Sequence, residues 1–234
     1  MKRNNDIVLA FPKGRILEEI KPLFENLNIK PEAAFYDDSS RALMFSTNNP
    51  HFKIIKIRSF DVATFVAFGA AEVGICGNDV LMEFDFPEVY SPIDLKLGAC
   101  RLSLAADKES AVAGGLSGQS HIRIATKYPN LSKKYFAAKG IQAECIKLNG
   151  AIELAPKLGL ADNIVDLVST GKTLKENGLV EIEKIADITS RLIVNRTSAK
   201  TKGEEINAIL AAFRESLEKL GGQKKSPAKI KLRA

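Results

Sequence analysis

Short apolar runs alternate along the chain with segments in which apolar residues recur every three or four positions. Residues 6–11 have the pattern of a strand, and the apolar positions within 16–27 have helical spacing. The alternation continues to residues 203–220, where one apolar stripe predicts a long amphipathic helix. Because alternating strands and helices are usually joined by crossovers, the pattern predicts an α/β fold with two lobes and mostly parallel sheets.

The same pattern predicts further elements between these ends. Strands are expected at 41–46, 53–57, 73–76, 100–105, 121–126, 141–147, 163–168 and through 180–194. Helices are expected after Asp61 and Gly77, at 131–139 and at 152–158.

A break in the alternation divides the chain. Residues 107–120 are rich in Gly, Ser and Ala, which is typical of a loop. We therefore predict lobe I from residues 1–95 together with 196–220, lobe II from 96–195, and a separate basic tail at 221–234.

The net charge of +6 suggests nucleic-acid binding, but the distribution of charge argues against it. The tail contains five basic residues and no acid, which leaves only +1 on the other 220 residues. Nucleic-acid-binding domains carry their basic residues on a folded face. We therefore expect no nucleic-acid partner.

The apolar runs and the few cysteines and histidines bear on the location of the protein and on metal binding. The N-terminal apolar run at 7–11 is too short for a secretory signal, and no run approaches the roughly 18 apolar residues that suggest a membrane span. We expect a cytoplasmic protein with no membrane contact. Three cysteines without a CxxC pair and two histidines disfavour a zinc site, so no metal-ligating residue is predicted.

The clearest chemical signal lies at 164–177, where an apolar strand is followed by a donor-rich turn. Asp166 is an acid in this strand, and near the strand's carboxyl end it can accept hydrogen bonds from the hydroxyl pair of a sugar. The five residues after Val168 offer hydroxyls, a glycine turn and backbone N–H groups for a phosphate: Ser169, Thr170, Gly171, Lys172 and Thr173.

Two alternatives remain for this segment on its own. The ending Gly171-Lys172-Thr173 matches a P-loop, but that pattern needs a glycine where this chain has Asp166, so a P-loop NTPase is disfavoured. A structural strand–turn–helix with a capping threonine explains the loop about as well.

A wider set of motifs resembles the ATP phosphoribosyltransferases. Residues 153–156, 159–162, 164–174 and 177–179 look like the signature of that family. Further similar motifs lie upstream in the family's order, at 9–15, at Arg58 with Asp61, at 74–79 and at 100–105. Ala63 departs from the pattern, because a proline is common there, and this leaves the start of that helix open.

The resemblance implies a fold like that of a type II periplasmic binding protein, with the active site in the cleft between the lobes. It implies transfer of the phosphoribosyl group of phosphoribosyl pyrophosphate to N1 of ATP, the first step of histidine biosynthesis. Mg²⁺ is implied as a cofactor bound mainly through substrate phosphates. A non-enzymatic solute-binding protein shares this fold, but the missing signal peptide and the 166–173 segment argue against it.

The length implies a subtype. Only the last predicted helix and the tail follow residue 202, so the chain resembles the short form of the family. That form pairs with a regulatory subunit similar to histidyl-tRNA synthetase in a hetero-octamer, and we expect a dimer when the chain is alone.

The resemblance also assigns site residues. Asp166, Glu153, Lys13 and Arg15 are expected to be catalytic, and Asp166 with residues 169–173 is expected to bind phosphoribosyl pyrophosphate. The residues expected to bind the nucleotide are Lys13, Arg15, Arg58, Gly77, Asn78 and Arg101. On the residues alone, the basic side chains also fit structural or solvated positions, and Asp79 fits a simple helix cap.

Overall fold

The computed structural model describes residues 6–24, 27, 29–37, 39–108 and 118–223, without the side chains of 221–223. The described residues form two compact units. The first comprises those within Met1–Cys76, Phe86–Leu97 and Arg191–Ala234, and the second comprises those within Gly77–Asp85 and Gly98–Ser190.

Most of the elements correspond to the predicted ones and follow one another in the predicted order. The strands are β1 Ile7–Pro12, β2 Met44–Ser46, β3 Phe52–Ile57, β4 Val73–Gly77, β5 Val89–Asp94, β6 Cys100–Asp107, β7 His121–Thr126, β8 Gln142–Lys147, β9 Asn163–Val168, β10 Leu179–Ile188 and β11 Ser190–Asn195. The helices are α1 Arg15–Phe24, α2 Ser59–Ala67, α3 Asn78–Phe84, α4 Pro129–Ala137, α5 Leu154–Lys157, α6 Lys172–Glu176, α7 Arg196–Thr201 and α8 Gly203–Gln223, with a 3₁₀ turn at Ala33–Phe35.

The first unit is built on a six-stranded sheet in the order β2-β3-β1-β4-β11-β5. Strand β1 runs parallel to β3 and β4, so the carboxyl ends of these three strands share one edge. The apolar stripe of α8 contributes Ile206, Ile209, Leu210 and Phe213 to the core that contains β1 and α1. The final helix therefore packs in the first unit.

The second unit is built on a five-stranded sheet in the order β10-β6-β9-β7-β8. Strand β7 is parallel to β8 and β9, whereas β6 runs antiparallel to both β9 and β10. Buried apolar residues of α5, α6 and β9, among them Ala155, Leu174 and Ile164, form one cluster. This cluster fixes the loop after β9 on the sheet.

The elements and the sheets differ from the sequence-based predictions in several respects. The α/β class is confirmed, but the sheets are mixed. Strands β2 and β3 pair in antiparallel orientation, and β6 runs antiparallel to both of its neighbours, β9 and β10. An apolar run indicates an extended segment but not its direction. Strand β5 and helix α7 had no corresponding prediction, and most of the loop predicted at 107–120 lies outside the described residues.

The boundaries of the units also differ from the predicted lobes. Residues 77–85 belong to the second unit, because side chains of α3 bind residues 128–131 there. Residues 191–195 belong to the first unit, because β11 pairs with β5. Of the predicted tail, 221–223 continue α8, and the rest lies outside the described part of the chain. Among the helices of the described residues, none has the length and apolar character needed to cross a membrane.

Candidate active site

A loop pocket of about 160 Å³ lies at the end of β9 in the second unit. Its lining comprises Glu153, Asp166 and all the residues from Leu167 to Leu174. The structure thus brings together both predicted carboxylates and the five predicted phosphate-binding residues, which the sequence separates by up to 20 positions.

Asp166 is one of the two acids that line this pocket. Strand β9 lies between β6 and β7, and in its registers Asp166 is opposite Ser103 while Val165 is opposite Thr126. Oδ1 of Asp166 accepts a hydrogen bond from the backbone N–H of Leu167 at 2.8 Å. The carboxyl group is therefore held beside the start of the loop.

Burial raises the pKa of Asp166 from 3.8 to about 6. The negative charges of Glu153 and Asp79 raise this pKa further, while the N–H of Leu167 and the charge of Lys127 oppose the shift. At pH 7 the carboxyl group is mostly ionised, and burial of this charge costs free energy.

The loop after β9 is shaped by one glycine. Gly171 has a φ of 75°, a left-handed conformation that residues with a Cβ rarely adopt. The Thr170 hydroxyl accepts a hydrogen bond from the N–H of Lys172 at 3.4 Å, and the Lys172 side chain is exposed beside Glu176. The hydroxyls of Ser169 and Thr173 belong to exposed residues, so the loop offers donors at its surface.

Arg101 lies against this loop. Its guanidinium binds both carboxylate oxygens of Glu181, at 2.6 and 2.5 Å, and Nη1 donates to the carbonyl oxygen of Ser169 at 3.1 Å. The Ser103 hydroxyl also donates to Glu181, at 2.7 Å. Through these contacts Arg101 braces the first residue of the loop, and its predicted role as a nucleotide ligand stays a prediction.

The other predicted basic residues lie in the first unit. Lys13 follows β1 and Arg58 follows β3, and the register pairs the strand ends Pro12 and Ile57. Both side chains belong to exposed residues, and Arg15 is exposed beside Glu19 at 3.5 Å. The three cations therefore share the carboxyl edge of the parallel strands, where ligands of open α/β sheets bind.

Gly77 and Asn78 belong to the second unit, as does Asp79. A Cβ at Gly77 would lie 1.9 Å from Oδ1 of Asp79, so glycine is required by this carboxylate. The Asn78 side chain donates to Sδ of Met82 at 3.4 Å. The structure therefore supplies a local reason for the glycine besides the predicted nucleotide contact.

Several residues near the pocket had no signal in the sequence. Tyr128 is 2% exposed and donates its hydroxyl hydrogen to Oδ2 of Asp79 at 2.8 Å. Burial, followed by the negative charge of Asp79, raises the pKa of Tyr128 above its usual range. Glu181 and Ser103 were missed as well. Each partner lies at least 49 positions away in the chain, so no local spacing could have indicated the pairs.

Comparisons with known proteins identify the family. A family model described as HisG: ATP phosphoribosyltransferase matches residues 58–215. The ATP phosphoribosyltransferase of Paramagnetospirillum magneticum is 58% identical over 216 residues, which cover 92% of this chain and 99% of that protein. The enzyme of Rhodospirillum rubrum is 57% identical over 212 residues, with 91% and 93% covered.

Solved structures agree in fold. A chain of the ATP phosphoribosyl transferase (HisG:HisZ) complex from Thermotoga maritima superposes with a TM-score of 0.77 at 33% identity, covering 91% of this chain and 98% of that one. The periplasmic aliphatic sulphonate binding protein SsuA from Escherichia coli gives a TM-score of 0.54 at 15% identity, covering 95% and 71%. The second match shows the fold of a two-lobed periplasmic binding protein. Together, the family model and the relatives at 57–58% identity establish that this chain belongs to the ATP phosphoribosyltransferase family.

Proposed function

We propose that Asp166 and the loop after it hold phosphoribosyl pyrophosphate while this enzyme transfers the phosphoribosyl group to N1 of ATP. The reaction is the first step of histidine biosynthesis, and family membership assigns it to this transferase. The observation that carries the site assignment is the loop pocket, in which one ionisable carboxyl group adjoins a turn rich in hydroxyls and N–H groups.

The chemistry of a phosphoribosyl ligand fits this arrangement. A carboxylate accepts two hydrogen bonds, as the 2′- and 3′-hydroxyls of ribose require, and Asp166 supplies it. The 5′-phosphate needs several N–H and O–H donors, which residues 169–173 supply. Gly171 lets the backbone adopt the left-handed conformation that shapes this turn.

The reaction breaks the bond from C1 of ribose to the pyrophosphate oxygen and forms a bond from C1 to N1 of adenine. Positive charge develops on the ribose ring as the pyrophosphate leaves, so nearby carboxylates favour the transition state. Asp166 and Glu153 are the carboxylates of the loop pocket. Because N1 attacks with a lone pair that it already has, the step needs no strong general base.

The leaving pyrophosphate carries charge that must be neutralised. Lys13, Arg15 and Arg58 fit this role or the binding of the ATP phosphates, because their exposed residues share one edge of the first sheet. Gly77 and Asn78 remain candidates for the nucleotide site. Arg101 supports the phosphate loop in this proposal, through Ser169.

Mg²⁺ fits this chemistry as an ion held through substrate phosphates. Among the described residues, no group of three or more His, Cys, Asp or Glu side chains is placed to hold a metal ion. Mg²⁺ commonly keeps several waters and binds to substrate phosphates with little help from protein ligands. When bound, the ion would neutralise charge on the pyrophosphate.

A regulatory subunit is the partner that the comparisons favour. The Thermotoga maritima protein was solved as a HisG:HisZ complex, and this chain covers 98% of the matched chain. We extend this to a partner similar to histidyl-tRNA synthetase in a hetero-octamer, with a dimer when the chain is alone. Co-expression followed by a mass measurement of the purified assembly tests both states.

The site assignment is tested by replacing Asp166 with Asn. Formation of phosphoribosyl-ATP is followed by absorbance, and binding of phosphoribosyl pyrophosphate by calorimetry. We expect turnover to fall and binding to weaken in Asp166→Asn, whereas Asp162→Asn, an exposed acid four residues earlier, should retain both. Wild-type binding in Asp166→Asn would contradict the assignment.

A further inference from the structure

Helix α3 places two buried carboxylates one turn apart. Asp79 is 5% exposed and Glu83 is 4% exposed, and both bind the segment from Tyr128 to Leu131. Glu83 accepts hydrogen bonds from the N–H groups of Asn130 and Leu131 at 3.1 and 3.0 Å, at the start of α4. Its burial is explained by this capping contact.

Asp79 makes a different kind of contact. It accepts the hydroxyl hydrogen of Tyr128 at 2.8 Å, and the absence of a Cβ at Gly77 makes room for its other oxygen. Burying an ionisable carboxyl group costs free energy, and burial raises the pKa of Asp79. Because buried polar pairs can often be replaced by packed apolar residues without loss of stability, stability alone does not account for this pair.

A run of hydrogen bonds leads from this pair to the pocket. The backbone N–H of Tyr128 donates to Oγ1 of Thr126 at 2.9 Å, and Thr126 donates to the carbonyl oxygen of Val165 at 2.7 Å. Thr126 is completely buried, and Val165 immediately precedes Asp166 on β9. The position of Asp166 is therefore tied to the position of Tyr128.

We propose that Asp79 is a positioning residue that holds Asp166 in place through Tyr128 and Thr126. The inference rests on the proposed function, because it takes Asp166 as the ribose ligand. Asp79 fixes the Tyr128 ring, the backbone of Tyr128 fixes the hydroxyl of Thr126, and that hydroxyl fixes β9 beside Asp166. Loss of any of these contacts lets the carboxyl group move, and binding of the ribose weakens because its hydrogen bonds depend on that position.

The test uses two variants that each remove a single hydroxyl, Tyr128→Phe and Thr126→Val. Affinities for phosphoribosyl pyrophosphate and for ATP are measured separately by calorimetry, together with KM, kcat and Tm. We expect Kd and KM for phosphoribosyl pyrophosphate to rise about tenfold, since a hydrogen bond in a buried network has been lost, while the Kd for ATP stays unchanged.

Two further variants separate positioning from general destabilisation. Thr126→Ser keeps the hydroxyl and should restore affinity to near the wild-type value. Glu83→Gln weakens the other contact of α3, so it should lower Tm while leaving affinity for phosphoribosyl pyrophosphate unchanged. If Glu83→Gln weakens that affinity as much as Tyr128→Phe does, docking of α3 in general is responsible and the proposal is overturned.

Asp166→Asn is measured in parallel, so that failure of the inference is distinct from failure of the site. Unchanged affinity in Tyr128→Phe and Thr126→Val, with weakened binding in Asp166→Asn, overturns the positioning role and leaves the proposed function intact. Unchanged affinity in Asp166→Asn would show that Asp166 does not bind the ribose, and the positioning role would then be overturned as well.

Discussion

Nη1 of Arg101 donates a hydrogen bond to the carbonyl oxygen of Ser169 across 3.1 Å, although 68 positions separate the two residues. The guanidinium is oriented for this contact by Glu181, which accepts from its other two nitrogens. Ser169, the first residue of the loop after β9, is thereby attached to β6, the neighbouring strand. The conformation of the loop therefore depends on the sheet of the second unit as well as on Gly171.

Replacing Arg101 with Lys should weaken binding of phosphoribosyl pyrophosphate. A lysine keeps the charge but cannot bind both oxygens of Glu181 and the loop carbonyl together. We expect the Kd to rise about tenfold, because the bidentate contact with Glu181 that orients the loop would be lost. The matched control is Arg123→Lys, which alters an exposed ion pair with Glu144 in the same unit and should leave the Kd unchanged. Equal Kd values for the two variants would show that Arg101 does not brace the loop.

Asp166→Asn should raise stability at neutral pH although we expect it to lower turnover. The pKa of Asp166 is raised from 3.8 to about 6, so the folded protein favours the protonated form. Protonated Asp166 makes its full contribution to stability below the pKa that this residue has in the unfolded chain. That contribution is lost as pH rises through about 6, the pKa of Asp166 in the folded protein. At pH 7.5 the ionised carboxyl therefore costs about 3 kcal/mol, at 1.36 kcal/mol for each unit of pKa.

Thermal unfolding at two pH values checks this prediction. Asp166→Asn should melt above the wild-type protein at pH 7.5, and the difference should shrink toward pH 4. The exposed variant Asp162→Asn controls for the change in net charge. A Tm advantage that is the same at both pH values would mean that burial of the Asp166 charge is not its origin.

The acid side of the activity profile should report the same group. If the ionised form of Asp166 binds the ribose hydroxyls, kcat/KM for phosphoribosyl pyrophosphate should fall as pH drops through about 6. The measurement is an initial-rate profile from pH 5 to pH 8 at saturating ATP. A profile that stays flat to pH 5 would argue that the protonated carboxyl serves equally well.

Gly77→Ala should be far more damaging than an ordinary glycine replacement. The new Cβ would lie 1.9 Å from Oδ1 of Asp79, so the carboxylate must move away from its position beside Tyr128. We expect a loss of about 1–3 kcal/mol in the free energy of unfolding, as for other overpacked sites. Gly150→Ala is the control, since nothing lies within 4 Å of its Cβ position. Chemical denaturation of both variants measures the difference.

The basic edge of the first unit should serve the nucleotide or pyrophosphate. Replacing Lys13 with Met removes one exposed charge. The backbone N–H of residue 13 can still donate its hydrogen bond to the carbonyl oxygen of Ile57. We expect weaker binding of ATP or of pyrophosphate, with little change in stability, because the side chain is exposed. Calorimetric titration with each ligand checks this, and Lys30→Met, at another exposed position of the same unit, is the control.

The amino-acid pattern alone predicts the α/β class, most of the strands and helices in their order, and the loop that holds the candidate site. These features depend on local properties: the period of apolar residues, a glycine that allows a φ of 75° at Gly171, and donors close to Asp166 in the chain. The motifs around 153–179 were informative for the same reason, because the residues that line the pocket are near one another in sequence.

The direction of the strands, the unit to which α3 belongs and the surroundings of Asp166 follow from the tertiary structure and could not be predicted from the sequence. Arg101, Glu181, Asp79 and Tyr128 reach one another or the loop across 49 to 80 positions, so their pairing depends on strand order and not on spacing. The pKa of Asp166 depends first on burial, which exists only once the neighbouring strands and loop have assembled around it.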